Sequence, residues 1–182
     1  ADPSTYTEFR YKQFEAHQKA LEKIEQVARD FEKAFGRYYG GLIDSYYADD
    51  AEVVLVTLGS VIGTVKDAID ELRAEGLKVG LIKIRCYRPF PVAALRKALS
   101  GAKVIAVLEK DVAIGSEAGL LTDLKAAFYN TQIRTPIIGF AAGLGGRDIT
   151  LKDIRKIVEK ALAAEKGIEC EFEFLDLRKE IL

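Results

Sequence analysis

The sequence predicts an α/β fold, a mostly parallel sheet covered by helices on both faces and preceded by a long N-terminal helix. From residue 52 onward, β-branched runs alternate with helical patterns. The runs "VVLV", "LIKI", "VIAV" and "PIIGF" lack polar alternation, as strands buried on both faces do. Before residue 36, apolar residues step by threes and fours along one helical stripe. With 49% hydrophobic residues in 182, the chain has enough apolar surface for a core.

The first helix is expected over 8–35. Phe14, His17, Leu21, Ile24, Ala28, Phe31 and Phe35 share its stripe, and Lys and Glu fill the other faces. At about 1.5 Å per residue such a helix is ~40 Å long, more than a globular helix usually needs, so it straps across a domain or bridges to another. Gly36, Gly40 and Gly41 end it. "LIDSYY" reads as a short edge strand and "ADDA" as a polar connector. Strands follow at 52–59, 78–87, 103–110 and 134–143. Helices are expected at 60–76, stopped by Gly76, at 91–101 with proline in its first turn, at 116–130 capped by Ser116, and at 150–167. "IECEFEFLDL" (168–177) alternates apolar and acidic residues, as a half-exposed strand or docking tail does.

Composition narrows the function. A net charge of -1 provides no basic stripe for nucleic acid. No apolar run approaches the ~20 residues of a membrane span. The opening "ADPSTYTEFR" shows no signal-peptide pattern, so a cytoplasmic location is expected. Cys86 and Cys170 are far apart and form no C-x-x-C pair, which argues against an iron–sulfur or zinc site within this chain. Buried, inert thiols are expected instead. With no methionine and a linker-like "ADPS" start, the chain is expected to be a piece of a longer polypeptide.

In an open α/β sheet, ligands bind at the carboxyl ends of the strands. "TLGS" (57–60) has Gly59 and Gly63 but neither the full dinucleotide fingerprint nor a Walker lysine. A tight turn with Ser60 as N-cap fits it better than a phosphate site. In "CYRPFP" (86–91), prolines stiffen a loop presenting Arg88, Pro89 and Phe90. This suits an interface, a carboxylate-binding site, or a plain turn with Phe90 tucked into the core. "EKDVAIGS" offers the paired carboxylates Glu109 and Asp111 around Lys110, with no histidine or cysteine beside them. "GLGGRDIT" contains Gly143, Gly145, Gly146, Arg147 and Asp148. It resembles a phosphate loop superficially, but it follows the fourth predicted strand, lacks the third fingerprint glycine and has no lysine before the helix. A shaped turn leading into a capping box of Thr150 and Asp153 explains it better. His17, the single histidine, reads as a hydrogen-bonded, half-buried stripe residue rather than a ligand or proton shuttle.

The segments "EFRYKQFEAHQKALEKIEQVARDFEKAFGRYYG", "AEVVLVTLGS", "KVGLIKIRCYRPFP", "VIAVLEKDVAIGSEAG" and "GLGGRDIT" occur in that order. Through them the sequence resembles the C-terminal part of the α subunit in the thiamine-diphosphate-dependent 2-oxoacid:ferredoxin oxidoreductases, in particular the pyruvate:ferredoxin oxidoreductases. The resemblance covers nearly the whole chain, and "RPFP" combined with "GLGGRDIT" is its specific part. It implies a transketolase C-terminal-like domain, a three-layer α/β/α sandwich with about five strands, over 42–182. It also implies that residues 1–41 form a helix linking to an N-terminal domain outside this sequence.

The implied complex decarboxylates pyruvate oxidatively to acetyl-CoA and reduces ferredoxin. It uses thiamine diphosphate, Mg, [4Fe–4S] clusters and coenzyme A. No catalytic, cofactor-binding or metal-ligating residue carries over onto this chain. Its expected role is structural and assembly-related, with the complex's other subunits and domains as partners, ferredoxin reached indirectly, and a homodimer possible. Arg88, Pro89, Phe90, Gly143, Gly145, Gly146, Arg147 and Asp148 are the candidate contact residues. The alternative is a stand-alone small-ligand or nucleotide-binding domain using the same sheet edge.

Overall fold

The computed structural model describes residues 2–167, 171–175 and 177–182. Its elements are α1 (Tyr6–Phe35), β1 (Ile43–Tyr46), β2 (Val53–Thr57), α2 (Ile62–Ala74), β3 (Val79–Ile84), α3 (Val92–Leu99), β4 (Val104–Glu109), α4 (Gly119–Tyr129), β5 (Ile137–Ala141), α5 (Leu151–Glu165) and β6 (Phe172–Phe174). The sheet order is β1-β3-β2-β4-β5-β6. Strands β2 to β6 pair in parallel, and β1 joins the β3 edge antiparallel. The six-stranded sheet is thus a five-stranded parallel set plus the edge strand that "LIDSYY" suggested. Of the run 168–177, residues 172–174 pair as a strand. Cys170 lies outside the described residues.

The central strand runs are apolar at nearly every position because helices cover both faces; Lys83 of β3 is the half-buried exception inside a run, and Thr57 and Glu109 stand at strand ends. Val53 and Leu55 of β2, with Ala106 and Leu108 of β4, pack under α2 and α5. Val54, Val56, Ile105 and Val107 face α3 and α4. Successive side chains of a strand point to opposite faces, so only an uninterrupted apolar run fills both cores. On one face the packing is very close. A Cβ on Gly139 would meet Leu121, which is fully buried, and Phe172.

The helix ends depart from expectation at two places. Ser60 makes no capping bond: Gly59–Val61 form a 3₁₀ turn that runs into α2. Ser116 is not the cap of α4, which begins at Gly119 after Ala118. Helix α5 begins as expected, with Thr150 and Asp153 in a capping box.

Helix α1 is the exception to the layered design. Its 30 residues span about 45 Å, and none is buried. Gly36 closes it in the left-handed conformation at φ 66°. It is tied to the domain where the Leu42 N–H donates to Glu25 Oε1 at 2.9 Å. His17 is exposed, not half-buried, and Phe14 and Phe35 of the same stripe are exposed with it.

Replacing Gly139 by alanine should overpack the α4 face and cost about 1–3 kcal/mol. Urea unfolding followed by circular dichroism measures this, and an unchanged midpoint would contradict the close approach of α4 to β5.

Candidate functional site

The first parallel strand, β2, has β3 on one side and β4 on the other. The chain therefore leaves β2 and β4 toward opposite faces, and a crevice opens between their carboxyl ends. It has a volume of about 350 Å³. The β2–α2 turn contributes Leu58, Gly59 and Ser60 to its wall, the β3–α3 loop Tyr87, and the end of β4 Glu109, Lys110 and Asp111.

Glu109 is the organising residue. It is the last residue of β4 and only 8% exposed. Its Oε1 accepts the Leu120 N–H at 2.7 Å and its Oε2 the Leu121 N–H at 2.9 Å. These amides lie in the first turn of α4, where the helix supplies no acceptor of its own. A carboxylate eleven residues earlier in sequence thus does what Ser116 was expected to do. Burial pushes the Glu109 carboxyl up from its ordinary value. The two backbone N–H donors pull it back, and the neighbouring charges of Asp111 and Asp123 add to the rise. Glu109 and Asp111 are consequently not an acid–base pair of equals, since one oxygen pair is fully engaged in holding a helix.

The "RPFP" loop is built into the same edge. Arg88 forms an ion pair with Asp123 of α4 at 2.7 Å, and its guanidinium lies 4.1 Å from the Tyr87 ring centroid. Its Nη1 donates to the Tyr87 carbonyl at 2.9 Å. Burial and the Asp123 carboxylate raise the Tyr87 hydroxyl pKa. Phe90 is half-buried against the α3/α4 core and meets Tyr87 edge-on at 6.1 Å. Arg88 therefore spends its charge within the chain while its side chain stays more than half exposed. Cys86 is half-buried, not fully buried, and its thiol faces the carbonyls of Arg88 and Pro89.

"GLGGRDIT" forms a shaped turn. Gly143, Gly145 and Gly146 have φ of 71°, 66° and 85°, a region that side-chain-bearing residues rarely enter. Gly146 N–H donates to the Gly143 carbonyl at 3.2 Å. A Cβ on Gly143 would also come 2.9 Å from Lys110 Cε, so this glycine lets the β4 and β5 loops touch. At the start of α5, Asp153 Oδ2 accepts from the Thr150 N–H at 2.8 Å and the Asp153 N–H donates to Thr150 Oγ1 at 3.3 Å. The helix start that would hold a phosphate is occupied by its own capping box. Arg147 and Asp148 are exposed.

The structure thus brings Arg88, Phe90, Glu109, Lys110 and Gly143 onto one sheet edge. It leaves Gly145 and Gly146 at the open rim, where a Cβ on either would meet nothing within 4 Å. Sequence patterns did not disclose Asp123 or the role of Glu109, because both act across loops. Nor did they disclose that Leu58, Tyr87, Ile114 and Leu144, one on each successive βα loop, are all exposed there, Ile114 at 95%. Among the described residues, no group of three His, Cys, Asp or Glu side chains is arranged to hold a metal ion, and no helix is long and apolar enough to cross a membrane.

The Glu109 contribution to stability has a defined sign. A carboxyl whose folded pKa is raised contributes fully below its unfolded pKa, and this contribution is lost as pH rises through the folded value. Glu109→Gln should remove that segment of the pH–stability curve. Glu109→Ala should cost about 1–3 kcal/mol by stranding two amides. Unfolding curves of the three proteins across mildly acidic to neutral pH test this, and a Gln variant that retains the wild-type slope would refute it.

Comparison with known proteins places these features in a family. Residues 51–154 match the model of the pyruvate:ferredoxin oxidoreductase core domain II. The whole chain is 48% identical over 184 residues to the pyruvate synthase subunit PorA of Methanosarcina barkeri, covering 46% of that protein. It is 41% identical over 181 residues to the ketoisovalerate oxidoreductase subunit VorA of Pyrococcus horikoshii, again covering 46% of it. The chain thus spans about half the length of the curated relatives it matches. In fold it is similar to the 2-oxoglutarate:ferredoxin oxidoreductase of Magnetococcus marinus, solved with 2-oxoglutarate, coenzyme A and succinyl-CoA bound (TM-score 0.62, 23% identity, 88% of this chain and 24% of that one). It is also similar in fold to a split-gene transketolase in an inactive beta4 tetramer (TM-score 0.55, 17% identity, 67% and 42% covered). The two-sided sheet, its edge loops and these matches lead to one conclusion: the chain belongs to the pyruvate:ferredoxin oxidoreductase core domain II family.

Proposed function

We propose that this chain is a structural, non-catalytic domain in the α subunit of a cytoplasmic pyruvate (2-oxoacid):ferredoxin oxidoreductase, the complex that oxidatively decarboxylates pyruvate to acetyl-CoA and reduces ferredoxin. The observation that carries this reading is the 48% identity to a pyruvate synthase subunit along the whole chain. In this reading residues 42–182 are the α/β domain and residues 1–41 link it to the rest of the subunit. Thiamine diphosphate, Mg, [4Fe–4S] clusters and coenzyme A serve the complex, and other parts of it carry out the redox and acyl chemistry. This domain contributes rigid contact loops. Arg88, Pro89 and Phe90, fixed by Asp123 and the core, and the Gly143–Asp148 turn form its contact surface toward other subunits or a second copy. Ferredoxin is reached through those subunits.

The ketoisovalerate relatives favour a second reading for the substrate. They share 40–44% identity with this chain, close to the values for several pyruvate synthase subunits. A domain so similar in enzymes of both names suits a role that does not depend on the side chain of the 2-oxoacid.

Three measurements test the proposal. The complex captured anaerobically from its source through the tagged full-length subunit that contains this domain should reduce a viologen dye with pyruvate and coenzyme A. Absence of dye reduction with either pyruvate or ketoisovalerate would refute the reading. Exchanging this domain between a pyruvate and a ketoisovalerate enzyme should leave the substrate preference with the remainder of the subunit. Arg88→Glu should lower the yield of assembled complex by about tenfold, as loss of an arginine anchor does at an interface. The swap Arg88→Asp with Asp123→Arg should restore the internal pair without restoring assembly. Recovery of assembly in the swap would show that Arg88 acts only within the chain.

A further inference from the structure

The face of α1 turned toward the domain forms one wall of an open groove of about 470 Å³. Ala20, Ile24, Val27 and Ala28 line that wall, and Gly40 and Gly41 line the other. Gly40 and Gly41 let the Arg85 and Glu25 side chains come close to the connector, and Ala20 and Ala28 keep the α1 wall low. Phe31 also lines the groove, its ring tilted against Phe35 with centroids 4.6 Å apart, and remains 39% exposed. An apolar stripe of this length with only Ala20, Leu21, Ile24 and Ala28 half-buried gains little from folding unless another surface covers it. The charged residues lining the groove are Lys23 and Arg85, both cations; the Glu25 carboxylate beside Gly41 is engaged by the Leu42 N–H.

From this geometry we infer that the groove between α1 and the Gly40–Gly41 connector is the seat of an apolar, carboxylate-bearing segment from the part of the same subunit that lies outside this chain. The inference rests on the reading of the chain as a portion of a longer subunit and adds the docking surface to it. Two observations select this occupant. The match to the relatives uses only 46% of their length, so more than half of such a subunit is available to cover the stripe. A covalently joined segment meets the groove at a high effective concentration, which a separate partner must reach by affinity alone. The cationic rim selects for carboxylates and against a second copy of this chain. A two-fold contact of groove to groove would bring two cationic rims together.

A reactive thiol in the groove reads out its occupancy. Val27→Cys in a Cys86→Ser, Cys170→Ser background places a thiol at an exposed position of the stripe, where substitution disturbs little, and its labelling is read by mass spectrometry on the peptide that carries residue 27. In the 182-residue chain it should react with a maleimide as fast as an unprotected thiol. In the full-length subunit, purified without other subunits, it should react at least about tenfold more slowly, because labelling then waits for local opening. Lys23→Glu with Arg85→Glu should restore fast labelling in the full-length subunit, and unchanged protection would eliminate the carboxylate part of the inference. Three results would overturn the assignment of the occupant. They are no slowing in the full-length subunit, slowing only in the assembled complex, or concentration-dependent slowing in the chain alone with a dimer in sedimentation. Dye reduction by the complex is independent of labelling rate, so the functional reading can stand or fall separately.

Discussion

Burial of the central strands on both faces is the constraint on which the rest of the domain depends. β2 and β4 have no solvent-facing side, so every position from Val53 to Val56 and from Val104 to Leu108 must be apolar. That requirement removes polar side chains from the sheet itself and confines them to the turns at the strand ends. Thr57 shows how strict this is: buried at the end of β2, it satisfies its hydroxyl by donating to the Leu108 carbonyl at 2.6 Å. Glu109 follows the same rule one strand over, where a buried carboxylate is accepted only because two helix amides meet it.

The carboxyl edge is accordingly a place where polar groups hold one another. Arg88 answers Asp123, Glu109 answers the first turn of α4, and Asp153 answers Thr150. Among the groups turned outward are the apolar loop tips Leu58, Tyr87, Ile114 and Leu144, around a modest crevice. Stiff loops with internal polar bonds and exposed apolar tips suit contact with another macromolecular surface, since little further ordering is needed when they bind.

Helix α1 obeys a different balance. Within the layered domain each helix gains its stability from the core it covers. α1 covers no such core and is half-buried only around Ala20, Leu21, Ile24 and Ala28, while its aromatic residues Phe9, Phe14 and Phe35 stand in solvent. Its tie to the connector, through Glu25 and the Leu42 amide, sets its direction rather than its stability. A helix of this kind makes sense as half of a contact, in keeping with a chain that spans about half of its relatives.

The strand runs, the helix count after residue 60, the Thr150–Asp153 capping box and the left-handed glycines of "GLGG" were all legible in the sequence, because each depends on residues within a few positions of one another. Periodicity also identified the α1 stripe, but could not say whether it was covered, and His17 proved exposed. The caps of α2 and α4 escaped local patterns for the same reason in reverse. Serine is a good local cap, yet α2 starts from a 3₁₀ turn and α4 takes its acceptor from Glu109, on a neighbouring strand end. The Arg88–Asp123 pair, thirty-five positions apart, had no sequence signal at all. By itself, then, the sequence determined the layers and the local turns. Only the tertiary structure decided which polar groups meet at the sheet edge, because those partners are brought together by strand order, and strand order is set by how both faces of the sheet are buried.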